Sequence, residues 1–198
     1  DAVVATGYGR KNVPFAATTV TEITCHAAGA RYLCGEVMTV IDVGGQDSKV
    51  IALNPDGRVK DFAMNDKCAA GTGRFLEVIS RALELDLADF GATSLQADNP
   101  SPISNTCAVF AETEVISLIS RGEKRENIIA GIHEAIARRI SSLAARVGVR
   151  EPVMMTGGVS RNPGAVAALE KVLGLKILVH EYGQLSGALG AAVLAAGP

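Results

Sequence analysis

The strongest constraint on the fold is the order in which the hydrophobic period changes along the chain. Val37 to Val43 is an apolar run, and Ser48 to Asn54 and Arg58 to Met64 alternate. Between the latter two, Asn54-Pro55-Asp56-Gly57 is a strong turn signal. This pattern predicts a three-stranded antiparallel meander. After Arg150 short apolar runs, Pro152 to Thr156 and Leu175 to His180, alternate with helical stretches from about Pro163 to Val172 and Leu185 to Ala195. Such alternation is the mark of parallel strands with crossover helices, so the fold class is α/β.

Between these regions Phe75, Ile79, Ala82 and Leu83 recur at helical spacing, as do Ile129, Ile132, Ile136, Ile140, Leu143 and Val147. Val109, Ile116 and Ile119 suggest a third helix between them, and Ala92 to Ser104, rich in Ser, Asn and Pro, reads as a loop. With 198 residues, 48% hydrophobic content and a net charge of only -2, the chain can bury a substantial core and has no bias toward nucleic acid. No stretch reaches the roughly 18 apolar residues of a membrane span, and the N-terminus has no signal-peptide pattern, so a cytoplasmic protein is expected. The opening at Asp1, without Met, reads like the middle of a domain, and a missing N-terminal segment is expected.

Four widely spaced cysteines, Cys25, Cys34, Cys68 and Cys107, make disulfides a poor expectation in that compartment. Cys25 and Cys34 read as structural. Cys68, in Asn65-Asp66-Lys67-Cys68-Ala69-Ala70-Gly71, and Cys107, in Asn105-Thr106-Cys107-Ala108, each precede a helix-forming run. Both thiolates would then lie at the partly positive end of a helix. Two such thiolates are half an iron-sulfur site, and a second copy across a two-fold axis could supply the other half.

Two glycine pairs carry the remaining chemistry. In Asp42-Val43-Gly44-Gly45-Gln46-Asp47-Ser48-Lys49 the glycines let backbone N–H groups approach a phosphate, and an aspartate can hold hydrated Mg²⁺. In Met155-Thr156-Gly157-Gly158-Val159-Ser160-Arg161-Asn162-Pro163 a side-chain-free surface follows a buried strand and precedes a helix, with Pro163 suited to its first turn. That surface could take adenine or ribose. Gly71-Thr72-Gly73-Arg74 could add N–H groups near phosphate, yet no GxxxxGK[ST] is present, so no Walker-type loop is expected.

In this order, these residues resemble the ATPase component that activates 2-hydroxyacyl-CoA dehydratases, a family shared with the ATPase subunits of benzoyl-CoA reductase. The resemblance runs through Ala5 to Arg10, Asp42 to Asp47, Asn65 to Phe75, Cys107 to Ile116, Met155 to Asn162 and Gly187 to Ala191. It implies an actin/sugar-kinase/Hsp70-like (ribonuclease H-like) ATPase fold and a homodimer with one [4Fe-4S] cluster held by Cys68 and Cys107 of each subunit. It further implies ATP/ADP with Mg²⁺, an electron from ferredoxin or flavodoxin, and a dehydratase or reductase component as recipient. Asp42 and Gln46 would be catalytic. Asp42, Gly44, Gly45, Gln46 and Asp47 would hold phosphates, with Gly71 and Gly73 nearby and Gly157, Gly158 and Asn162 at the adenosine.

The family's N-terminal strand pair with its first phosphate loop is not in this sequence, so an incomplete first lobe is expected. Residues 1–36 would be its remainder. Residues 37–198 would form the second nucleotide-binding lobe with the cluster-bearing helices, its last helix packing back toward the first lobe. Two other classes remain open: a small-molecule kinase of the same fold, and a non-catalytic fragment that dimerises and binds a partner. His26, His133 and His180 read as solvated or core, Glu112 and Glu114 as partners of a helix dipole, with Glu112 able to face the cleft, and Arg121 to Glu126 as a solvated turn. Arg138, Arg139 and Arg146 read as a soluble helix face before a docking face.

Overall fold

A computed structural model describes residues 2–104 and 107–197; the side chains of Ala108 and Val109, and with them the sequence reading at Asn105, Thr106 and Val109, lie outside the described residues. One five-stranded sheet organises the chain, in the order β5-β4-β3-β6-β7. The central strand β3 (Thr39–Val43) pairs antiparallel with β4 (Ser48–Leu53), which pairs antiparallel with β5 (Val59–Asn65). On its other side β3 pairs parallel with β6 (Val153–Thr156), and β6 with β7 (Ile177–Val179). The meander and the parallel half therefore share one strand. Gly57, at φ +83°, closes the β4–β5 turn where its N–H donates to the Asn54 carbonyl. A separate parallel pair joins β1 (Val4–Ala5) to β2 (Thr18–Thr19).

Strand periodicity sends successive residues to opposite faces. Ile41, Val43, Val50, Val153 and Met155 enter the larger core with the 23-residue helix α5 (Arg125–Val147). Val40, Ile51, Leu53 and Met154 enter a smaller core beneath α1 (Glu22–Leu33). Asp42, Lys49 and Thr156 share the parity of this second set. The register pairs Asp42 with Lys49 on one side and with Thr156 on the other, so the three form one polar row facing α1.

The helices α2 (Gly73–Ala82), α4 (Ala108–Ser120), α6 (Pro163–Leu173) and α7 (Ser186–Ala196) fall close to their expected positions. Helix α3 (Leu87–Ser94) does not, and the stretch read as a loop from Ala92 is helical to Ser94. Its start is set by Asp86, whose carboxylate accepts from the Ala88 N–H at 3.0 Å. Helix α1 is capped by Thr21 and packs on α7 through small residues: a Cβ at Gly29 would strike the Ser186 backbone, and one at Gly190 the Cys25 backbone. The backbones of α1 and α7 thus approach without intervening side chains.

Candidate functional site

The two glycine turns leave adjacent strands at the same end of the sheet. Gly44 follows β3, its N–H donating to the Asp47 carbonyl at 3.0 Å, and Gly157 follows β6 with φ +83°. A Cβ on Gly157 would collide with the Val43 carbonyl and stand 2.8 Å from Asp42 Oδ1. The turns abut only because this position is glycine.

Between α1 and the turns lies a chamber of about 300 Å³, lined by Tyr8, Glu22, His26, Asp42, Gly44, Gly45, Gln46, Asp47, Lys49, Gly157, Gly158 and Gln184. A second chamber of about 590 Å³ opens on the far side of the turns, walled by Gly73, Leu76, Glu77, Leu87, Ala88, Val159, Arg161 and Asn162. Gly44, Gly45, Gly158 and Gln184 line both, so the two are lobes of one cleft. Charged side chains, Glu22, Asp42, Asp47 and Lys49, gather in the smaller lobe, while Leu76, Leu87, Ala88 and Val159 give the larger some apolar wall, a division that suits phosphates and a nucleoside respectively.

At the floor of the smaller lobe Lys49 is fully buried. Its Nζ lies 2.7 Å from Asp47 Oδ1, 3.3 Å from Asp42 Oδ2 and 3.4 Å from Glu22 Oε1. Burial alone would pull this ammonium down, but the carboxylates of Asp42, Asp47 and Glu22 outweigh it and hold Lys49 above the ordinary lysine value. The other oxygen of Asp42 accepts from Thr156 Oγ1 at 3.0 Å, with His26 Nδ1 3.1 Å from that hydroxyl and 3.4 Å from Asp42 Oδ1. Each oxygen of Asp42 therefore has a partner within the protein. Asp47 differs: its Oδ2 is buried with no hydrogen-bond partner. A lone buried carboxylate oxygen beside a cavity is the kind of acceptor that a divalent cation or its water satisfies.

Most predicted nucleotide residues gather here. Asp42, Gly44, Gly45, Gln46, Asp47, Gly157 and Gly158 line the smaller lobe, and Gly73 and Asn162 line the larger. Gln46 stands exposed at the tip of its turn. Gly71 is elsewhere: at φ +85° it lies against Arg139, away from the cleft. Asn162 turns its polar atoms inward, Oδ1 accepting from the Ala165 N–H at 3.0 Å to cap α6 and Nδ2 contacting His133 Nε2 at 3.1 Å. Glu112 lines neither lobe. His26, read from sequence as core or solvated, lines the smaller lobe, while His133 is a core residue. Glu22, Lys49, Arg161 and Gln184 were not singled out. Only Lys49 carries a sequence signal, a charge inside an otherwise apolar strand.

The cysteines lie apart from this cleft. Cys107 is exposed and occupies the N-cap of α4, as its sequence context predicts. Cys68 is partly exposed and sits further from its helix, in the loop between β5 and α2, where Thr72 is the cap residue. Asn65 Nδ2 fixes that loop by donating to the carbonyls of Cys68 and Ala70, both at 2.9 Å. All four cysteines are free. The far end of the loop reaches the cleft: the Gly73 N–H donates to the Gly44 carbonyl at 2.8 Å and the Arg74 N–H to the Gly45 carbonyl at 2.9 Å.

The profile of the BadF/BadG/BcrA/BcrD ATPase family matches residues 1–195. The chain belongs to this ATPase family. The 2-hydroxyisocaproyl-CoA dehydratase activator of Clostridioides difficile is 50% identical over 193 residues, 98% of this chain and 73% of that protein. A solved structure of the activator of that dehydratase with bound ADPNP superposes with a TM-score of 0.95 at 49% identity, covering 98% of this chain and 72% of that one. A ROK family glucokinase from Streptomyces griseus, at 14% identity and TM-score 0.53 over 95% of this chain and 70% of its own, shares the fold alone. The ATPase thus has the actin/sugar-kinase/Hsp70-like fold. In this family member, two glycine turns on neighbouring strands and a buried lysine between carboxylates form the cleft floor.

Proposed function

We propose that this ATPase is the activator of a 2-hydroxyacyl-CoA dehydratase, using ATP hydrolysis to deliver single electrons to that partner. The reading rests most heavily on the connection between the cleft and Cys68. Two hydrogen bonds tie the start of α2 to the Gly44–Gly45 turn, and the Cys68 loop leads directly into α2. A displacement of the turn by nucleotide phosphates is carried into the loop that presents this thiol.

The donor set fits a shared cluster better than a metal enclosed by one chain. Cys68 and Cys107 are free and reach solvent, and among the described residues no group of three or more His, Cys, Asp or Glu could hold a metal ion. A cubane takes four thiolates, so two from this chain and two from a second copy complete a [4Fe-4S] site in a homodimer. When bound, such a cluster supplies one-electron chemistry. Cys68 and Cys107 hold it; Gly44, Gly45 and Gln46 receive the phosphates of ATP or ADP; Gly157 and Gly158 receive the adenosine; and Asp47 offers its free oxygen to Mg²⁺. Asp42, held by Lys49 and Thr156, orients the floor. Ferredoxin or flavodoxin supplies the electron in the cytoplasm, and a reductase of the benzoyl-CoA type is the alternative recipient.

The test is iron and acid-labile sulfide per chain after anaerobic reconstitution, for wild type beside Cys68→Ala and Cys107→Ala. About four irons per dimer, lost in both variants, is the expected result. A folded protein that takes up no iron yet hydrolyses ATP or phosphorylates a small molecule overturns it in favour of a kinase-like ATPase.

A further inference from the structure

Hydrolysis is served by a group that orients the attacking water and takes its proton, and the smaller lobe offers three carboxylates, Glu22, Asp42 and Asp47, and two carboxamides, Gln46 and Gln184. All but Glu22 are unsuited. Asp42 has both oxygens engaged, by Lys49 and by Thr156, and is 97% buried, being 3% exposed. Asp47 gives one oxygen to Lys49 at 2.7 Å, and its other oxygen is the one assigned above to Mg²⁺. Gln46 and Gln184 lie exposed and, as neutral amides, can orient water but cannot accept a proton.

Glu22 differs on each count. It belongs to α1, so it faces the glycine turns from the opposite wall of the chamber. Its side chain keeps 22% of its exposure, its only ion pair is the 3.4 Å contact with Lys49, and among the described residues neither oxygen accepts a hydrogen bond. Lys49 anchors it from below, and Thr21, accepting from the Thr24 N–H at 3.3 Å, fixes the first turn of α1 on which it sits. The 300 Å³ chamber has room for a terminal phosphate and several waters, each of which takes about 30 Å³.

We infer that Glu22 is a catalytic residue of the ATPase reaction, the carboxylate that orients the attacking water and accepts its proton. This rests on the reading of the cleft as a nucleotide site. The water oxygen bonds to the γ-phosphorus while its proton passes to Glu22. The bond from the γ-phosphorus to the β,γ-bridging oxygen breaks, its electron pair leaving with ADP. Inorganic phosphate departs, and Glu22 returns the proton to solvent. Lys49 is a positioning residue in this scheme, since its burial keeps it from the reacting atoms.

The experiment measures ATP turnover against pH, together with the affinity for a non-hydrolysable ATP analogue, in wild type, Glu22→Gln and Glu22→Asp. Glu22→Gln is expected to lower kcat by about 100-fold or more, the usual worth of a positioned general base. Its analogue affinity should stay within about two-fold, and the acidic limb of the kcat profile should disappear. Glu22→Asp should recover part of the rate. Turnover in Glu22→Gln within about three-fold of wild type overturns the inference, because general-base catalysis is worth far more. So does a loss of analogue affinity in step with turnover, which would make Glu22 a binding or structural residue. Wild type that binds the analogue but does not turn over ATP also overturns it while leaving the nucleotide site intact; wild type that binds no analogue overturns both.

Discussion

Acid should loosen the wall of the larger chamber through His133. This imidazole is buried, 1% exposed, edge-on to Phe90 with ring centroids 5.9 Å apart. Ser94 Oγ spends its proton on the Gly91 carbonyl at 2.8 Å, so it accepts from His133 Nδ1–H at 3.0 Å, and Nε2 is left to accept from the Asn162 amide at 3.1 Å. A second proton would set Nε2–H against that amide's hydrogens. Reversing Asn162 would remove the acceptor that caps α6. Burial pushes this histidine down to about 4 from its ordinary 6.5.

Because the folded value lies below the unfolded one, the stabilisation is complete above pH 6.5 and is lost as pH falls toward 4. Applying proton linkage to those two values gives a loss of about 2 kcal/mol between pH 7.5 and 5.0, and about 3 kcal/mol by pH 4. Urea unfolding at pH 7.5 and 5.0 of wild type beside His133→Gln isolates this contribution, since the carboxylates common to both cancel. Wild type should lose about 2 kcal/mol more than the variant over that range. Equal losses, or a His133 that titrates by NMR near 6.5, would refute the reasoning.

Two further substitutions test the cleft floor. Gly157→Ala places a Cβ on the Val43 carbonyl in a backbone of φ +83°, and should cost about 3 kcal/mol in urea titration, so a loss below about 1 kcal/mol would mean that the turns do not abut. Lys49→Met leaves the Asp42 and Asp47 carboxylates buried without their cation, and should cost about 3–5 kcal/mol at pH 7.5 with part of the loss recovered at acid pH; a stability unchanged at both pH values would contradict the ion-paired floor.

The meander and the parallel half were legible because their signals are local. Asn54-Pro55-Asp56-Gly57 demands a turn, and Ile129 to Val147 repeats at helical spacing over a long span. Helix α1 was not legible. Its buried face is Cys25, Ala27, Gly29 and Ala30, small residues that blur the apolar stripe because α7 comes too close for large ones. That is why the sequence reading found neither Glu22 nor a cleft role for His26. Both glycine pairs could be read as ligand turns, yet the tethers from Gly73 and Arg74 to the first turn are backbone bonds that leave no trace in residue type. Asn162 hides a different kind of information: it lines the larger lobe, yet both ends of its amide are also engaged within the protein, which residue type alone does not reveal.

The row of Lys49, Asp42 and Thr156 across three strands makes the sheet a gauge for the cleft. Neighbouring strands stand about 4.8 Å apart by the geometry of their hydrogen bonds. The gap between the two glycine turns is therefore set by the backbone and not by any loop side chain. Slipping β3 by one residue against its neighbours would send Asp42 to the opposite face, among Ile41 and Val43 of the larger core, and empty the cleft floor at the same stroke. Misfolded register and lost chemistry are one event in this protein, so any chain that passes the first test already has its phosphate turns at the right spacing.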